Sequence, residues 1–289
     1  MSYVIYTDSS ANLTNEIIDQ YGIKVIPLMF LSGGKEFLSF DKDNPVDLLP
    51  FYKLLRKKEH ITTSCINESD FVNAFEQDIK EERDIIYLSM SSNLSATHSN
   101  AVKAVDLLKS GYPQRKIIVV DSLGASMGQG LMAIYAAKMR KEGKSIEETA
   151  HWLEENKLII CHYFTVDNLF YLFRGGRVKA TSYLLANIIN IKPIMHADHN
   201  GKLVATGKVV GRKKAISVLA KQTVENIVNP AEQIICIAHG DSLEDANLLK
   251  DKILSQITVK ECIVNYLDPV IGAHSGPDTL AVFFLGTKR

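Results

Sequence analysis

Short apolar runs of strand length alternate with longer amphipathic stretches through the first half of the chain, the pattern of parallel strands joined by crossover helices. Tyr3 to Tyr6 predicts a strand, followed by a helix that begins near Thr14 and buries Ile17, Ile18 and Tyr21. Ile85 to Leu88 predicts a strand leading into a helix through Val102, Val105 and Leu108, and Ile117 to Val120 another leading into a helix through Leu131, Ile134 and Ala137. Ser145 with Glu148 makes an S-x-x-E capping box before Ala150, Trp152 and Leu153, so a new helix starts there after the stop at Gly143.

The second half reads differently. Strands are expected at Leu158 to Phe164, Lys192 to Met195 and Lys202 to Val210, with a tight positive-φ turn at His199-Asn200-Gly201 before the last of these. A helix after Gly211 runs through Ile216, Leu219 and Val224, and strands at Ile234 to Ala238 and Thr279 to Leu285 bracket a helix and one further strand. The fold class is therefore α/β with two domains, a parallel-sheet α/β domain over 1–156 and a mixed-sheet α/β domain over 157–289.

Composition narrows the class without changing this picture. The 289 residues are 46% hydrophobic and 23% charged, which excludes a disordered chain, a collagen-like repeat and a small disulfide scaffold. Thirty-three basic side chains balance thirty-three acidic ones, so bulk charge calls for neither nucleic acid nor an anionic membrane. The four cysteines, Cys65, Cys161, Cys236 and Cys262, form no C-x-x-C, which leaves no zinc knuckle or redox dithiol to read and fits a reducing compartment. An acidic residue by position 8 leaves no room for a signal peptide, and no apolar run approaches the ~18 residues of a membrane span. The expected location is the cytoplasm.

Candidate chemistry sits at the strand ends. Thr7-Asp8-Ser9-Ser10, Ser91-Ser92, Asp121-Ser122 and His239-Gly240-Asp241-Ser242 each follow a predicted strand, where open α/β sheets bind ligands. Convergent hydroxyls and backbone donors suit an anionic or carbonyl oxygen better than a metal ion, which would want carboxylates or imidazoles in sets. Taken singly, each is an ordinary helix N-cap; their recurrence carries the functional reading. Arg174-Gly175-Gly176-Arg177 and Gly211-Arg212-Lys213-Lys214 make two basic loops, too short and too free of aromatics for a nucleic-acid surface. The chain lacks both a P-loop and a G-x-G-x-x-G, so a self-contained kinase or dinucleotide enzyme has no phosphate cradle. One enzyme reading stands beside these: Gly124-Ala125-Ser126-Met127-Gly128 fits G-x-S-x-G, with Asp241 and His274 following in the chain order of an α/β-hydrolase triad. Against a serine esterase, Asp121-Ser122-Leu123-Gly124 separates the strand from Ser126, whereas a nucleophile elbow turns directly.

The strings TDSSANL (7–13), TSCIN (63–67), SSNLSATHSNA (91–101), DSLGASMGQG (121–130), VDNLFYLFRGGR (166–177), IKPI (191–194), GRKKA (211–215) and GAHSGPDTLAVFF (272–284) together resemble, in order, the motifs of the bacterial DegV family. The resemblance implies a protein that is not itself an enzyme. It would enclose one long-chain fatty acid in an apolar tunnel and present the carboxylate to a separate fatty acid kinase subunit, which forms acyl phosphate for phospholipid synthesis. It implies carboxylate ligands at Thr63, Ser95 and His274, with Ser92 the second choice of serine, and partner-facing arginines at Arg174 and Arg212. It implies no cofactor, no metal, and no membrane association beyond transient contact. The chain has TSCIN where the family often has TSQPS, LSATH where it often has LSGTY, and Ala273 and Ser275 where threonines often flank the histidine.

Overall fold

The computed structural model describes residues 3–179, 190–287 and 289. Its first sheet is wholly parallel: Ile23–Ile26 (β2), Tyr3–Asp8 (β1), Asp84–Ser89 (β6) and Ile117–Asp121 (β7) lie side by side in that order. Every residue of β1 and β6 is buried, as expected for inner strands covered on both faces. The crossovers include Asn15–Tyr21 (α1), Glu68–Lys80 (α3), Thr97–Gly111 (α4) and Met127–Lys141 (α5).

The second sheet is mixed, in the order Leu203–Val210 (β10), Ile191–Ala197 (β9), Ile160–Thr165 (β8), Leu280–Leu285 (β13), Ile234–His239 (β11) and Glu261–Tyr266 (β12). Only β11 and β12 pair in parallel; the remaining neighbours are antiparallel. Helix Ile146–Asn156 (α6) packs on β6 and β7 of the parallel sheet, and Phe170–Arg174 (α7), Arg212–Asn226 (α8), Leu243–Leu254 (α9) and Pro269–Ser275 (α10) are the described α-helices that follow β8. The α/β class with one parallel and one mixed sheet is thus the observed architecture.

A third, small antiparallel sheet was not legible in the sequence. Lys35–Leu38 (β4), Met29–Ser32 (β3) and Thr62–Ser64 (β5) form it, with Leu48–Arg56 (α2) beside it. The sequence hides it because β4 is exposed along its whole length and β5 is three residues long, so neither shows an apolar period. Its register sets Thr63 opposite Phe30.

Local expectations hold with small corrections. The Ser145 hydroxyl accepts from the Glu148 amide at 3.1 Å and the Glu148 carboxylate accepts from the Ser145 amide at 2.8 Å, the reciprocal capping box. The strand expected from Leu158 begins at Ile160, because Lys157–Ile159 forms a 3-10 turn. At the Asn-Gly turn Gly201 takes positive φ (+72°) but Asn200 does not; instead Asp198 accepts from the amides of Asn200 and Lys202, both at 2.9 Å. In α4 the apolar stripe is turned by one residue: Ala101, Ala104, Val105 and Leu108 are buried while Val102 is exposed. Small alanines let this helix lie close to the sheet, a preference that hydrophobicity alone ranks below valine.

Helix α5 joins the layers. Ten of its residues are buried, and it shares one core with Ile5 and Leu88 of the parallel sheet and Cys236 and Phe283 of the mixed sheet. A helix apolar on nearly every side is an interior one. No helix among the described residues is long and apolar enough to cross a membrane.

Candidate functional site

Where the carboxyl end of the parallel sheet faces the mixed sheet, the walls enclose a cavity of about 300 Å³. Most of its lining is apolar: Phe164 from β8, Leu203 from β10, Ala281 and Phe283 from β13, and Leu267 and Val270 from the segment entering and beginning α10. Thr63, Ser95, Arg177, His274 and Ser275 form a polar end, and Ser64, Ser126, His162 and Thr279 also line the cavity. That size falls at the lower end of the ~300–1,000 Å³ range for small-molecule sites, and an apolar body with a few placed polar groups is their usual composition.

Four distant stretches of chain build the polar end. The Thr63 hydroxyl lies 2.7 Å from His274 Nε2. An Arg177 Nη1–H points at His274 Nδ1 from 3.5 Å, which makes Nδ1 the acceptor and assigns the imidazole proton to Nε2. His274 then donates to Thr63 Oγ1, and the Thr63 hydroxyl proton is left to face the cavity. Burial, then the charges of Arg177 and Arg174, hold the His274 pKa down to about 3, so the imidazole is neutral at neutral pH. Gly175 packs so closely on the ring that a Cβ there would stand 2.2 Å from Nδ1.

Arg177 ties the other side. Its Nε and Nη2 donate to the Leu94 carbonyl at 3.1 and 3.0 Å, and its Nη1 donates to the Gly175 carbonyl. Leu94 immediately precedes Ser95, whose hydroxyl oxygen accepts from the Thr97 amide at 3.2 Å and lies 2.8 Å from Thr97 Oγ1 at the start of α4. The arginine thus orders both the serine loop and the histidine. Reading single motifs for head-group donors passed over Arg177; the available signal was the second arginine of RGGR, three residues after Arg174.

The structure brings Thr63, Ser95 and His274 to one cavity wall and leaves Ser92 off it. Ser92 is exposed, with its amide bonded to Asp121 at 3.2 Å, because the chain turns outward there before Leu94 turns back in. Arg174 is half-buried, stacked over Phe170 and Tyr171 with its cation 5.1 and 5.4 Å from the ring centres, and it reaches the Glu59 carbonyl at 3.3 Å. Arg212 opens α8, where its Nε donates to Asp245 at 2.8 Å.

The hydrolase arrangement is not assembled. Ser126 donates to Asn12 Oδ1 at 2.7 Å, Asp241 is held by Arg56 at 3.1 Å, and His274 is engaged by Thr63 and Arg177. The first strand end also departs from expectation. Asp8 is wholly buried among donors from Ser10, Tyr87, Gln129 and the Met90 amide, a network that fixes the loop after β6. Burial pushes its carboxyl pKa up and those hydrogen bonds oppose the shift. Among the described residues no group of three or more His, Cys, Asp or Glu side chains is placed to hold a metal ion.

Comparison with known proteins covers the whole chain. The family model described as "Uncharacterised protein, DegV family" matches residues 2–287. A DegV domain-containing protein of Clostridium perfringens is 41% identical over 287 residues, covering 99% of this chain and 98% of the relative. A DegV lipid binding protein from Thermotoga maritima superposes with a TM-score of 0.87 at 28% identity, covering all of both chains. DegV from Bacillus subtilis, described as a fatty acid binding protein, gives a TM-score of 0.83 at 28% identity over 98% of each chain.

Proposed function

The chain belongs to the DegV family, and from that premise we propose that it binds one long-chain fatty acid and presents the carboxylate to a separate fatty acid kinase subunit. The observation that carries the binding is the cavity itself, apolar along its length with hydroxyl donors at one end. Thr63 and Ser95 donate to the carboxylate, and neutral His274 backs Thr63. At ~0.8 kcal/mol per buried methylene, a chain of roughly fifteen methylenes contributes on the order of 10 kcal/mol before association costs. The tail therefore supplies most of the affinity, and the hydroxyls set the orientation.

In this reading the protein is a carrier acting in the cytoplasm. Arg174 and Arg212 meet the kinase subunit near the site and steer the acyl phosphate, using forks suited to phosphate oxygens. The deciding measurement is mass spectrometry of a denaturing extract of freshly purified protein. Close to one fatty acid per chain is expected, and an empty protein from a lipid-replete host counts decisively against the reading. Adding kinase subunit and ATP to loaded protein should then yield acyl phosphate.

A further inference from the structure

Two residues of the cavity lining each carry a buried side-chain atom without a hydrogen-bond partner among the described residues, His162 Nε2 and Ser275 Oγ. They are not equivalent. His162 Nδ1 sits 2.8 Å from the Ile160 carbonyl and 3.2 Å from Arg289 Nη2, which leaves Nε2 the unpartnered ring nitrogen. That nitrogen is walled off, since a Cβ built on either Gly124 or Gly128 would stand 2.1 Å from it. It is also remote from the polar end. Thr165 pairs with Leu280 and His162 with Phe283, three residues and roughly 10 Å further along β13 at about 3.4 Å per residue.

Ser275 is placed differently. It ends α10 directly after His274, and its residue is only 6% exposed. Its carbonyl is occupied, accepting from Thr279 Oγ1 at 3.0 Å. Serines on helices commonly return the hydroxyl to a carbonyl one turn back, yet this one does not. A buried hydroxyl without a partner among the described residues is a donor free to serve a group that enters.

We propose that Ser275 Oγ is a further hydrogen-bond donor to the ligand's head group, and that it reads a two-oxygen acid in preference to a single hydroxyl. The proposal rests on the fatty acid reading above. A carboxylate offers about four acceptor positions. Thr63 and Ser95 can each fill one, and Ser275, on the element that also carries His274, supplies a third. A fatty alcohol's single oxygen offers two acceptor positions and so cannot take the protons of all three hydroxyls.

The test is Ser275→Ala, which removes one oxygen that has no partner among the described residues. Affinities for palmitate and hexadecanol are measured by displacement of a fluorescent fatty acid after delipidation, with thermal unfolding of the ligand-free protein alongside. Palmitate binding should weaken about tenfold while hexadecanol binding is unchanged. The ligand-free melting temperature should stay level or rise, because an unmatched buried hydroxyl has been deleted. Unchanged palmitate affinity, or equal losses for acid and alcohol, would overturn the Ser275 assignment while leaving the fatty acid reading intact. Failure of the wild-type protein to bind palmitate would overturn that reading and this assignment with it.

Discussion

Thr63 and His274 lie 211 residues apart in sequence and meet at 2.7 Å across the cavity wall, one from an edge strand of the small sheet and the other from the last described helix. The contact matters chemically because Arg177 occupies the far side of the imidazole. The ring donates to Thr63, and Thr63 passes its own proton onward.

Replacing Thr63 by valine keeps the shape and removes that hydroxyl. A hydrogen bond to a charged group is typically worth ~1.5–3 kcal/mol, so fatty acid affinity should fall roughly 10 to 100-fold at 1.4 kcal/mol per decade. Affinity for the corresponding alcohol should change far less. Parallel loss of both ligands, measured by displacement, would mean that Thr63 shapes the cavity without reading the acid.

The low pKa of His274 makes a prediction about acid stability. The unfolded chain binds a proton near pH 6.5 that the folded imidazole refuses until about pH 3, so the stabilisation is complete above pH 6.5 and is lost as pH falls through that window. One such group contributes a slope of at most about 1.4 kcal/mol per pH unit. His239, held down to about 4 chiefly by burial, acts with the same sign. Urea unfolding at pH 4.5, 5.5 and 7 should show a shallower decline for His274→Gln than for the wild type; superposable profiles would place the lost protons elsewhere.

Arg177→Lys keeps a positive charge but replaces a fork with one ammonium, which cannot reach Leu94, Gly175 and His274 together. The Leu94 carbonyl then loses both of its arginine donors and the serine loop loosens. Fatty acid affinity is expected to fall about tenfold, reflecting one buried acceptor left unmatched at ~1–3 kcal/mol. Calorimetric titration of delipidated protein checks this, and wild-type affinity would show that the loop holds without the arginine.

Arg174→Ala and Arg212→Ala should separate binding from transfer. Neither arginine hydrogen-bonds to a head-group residue in the structure, so lipid recovered per chain should remain at the wild-type level. Acyl phosphate formation with the cognate kinase should drop. Loss of lipid in both variants with normal phosphorylation after reloading would reverse the assignment.

How far the chain could be read in advance follows from what each feature depends on. β1 and β6 were visible because strands buried on both faces must be continuously apolar, β7 because its first four residues are all apolar, and α6 because its cap is a local four-residue signal. The small sheet was invisible because β4 lies on the surface and β5 owes its pairing to β3, about thirty residues away. Collinear motifs pointed to the Thr63, Ser95 and His274 loops. Arg177 and Ser275 are marked only in three dimensions, one by where its fork reaches and the other by a bond it does not make.

The position of β13 bears on how the molecule is made. The last described strand lies between β8 and β11, not at an edge. During synthesis, β8, β9 and β10 emerge early and can form one antiparallel group, while β11 and β12 form another. Until residues 280–285 leave the ribosome, β8 and β11 each present an unpaired row of amides and carbonyls, the kind of surface that recruits other chains. Closure must therefore wait for those residues, and it is dominated by contacts distant in sequence, which slows folding. Yield on expression should accordingly respond to temperature and chaperone supply more than the mature protein's stability would suggest.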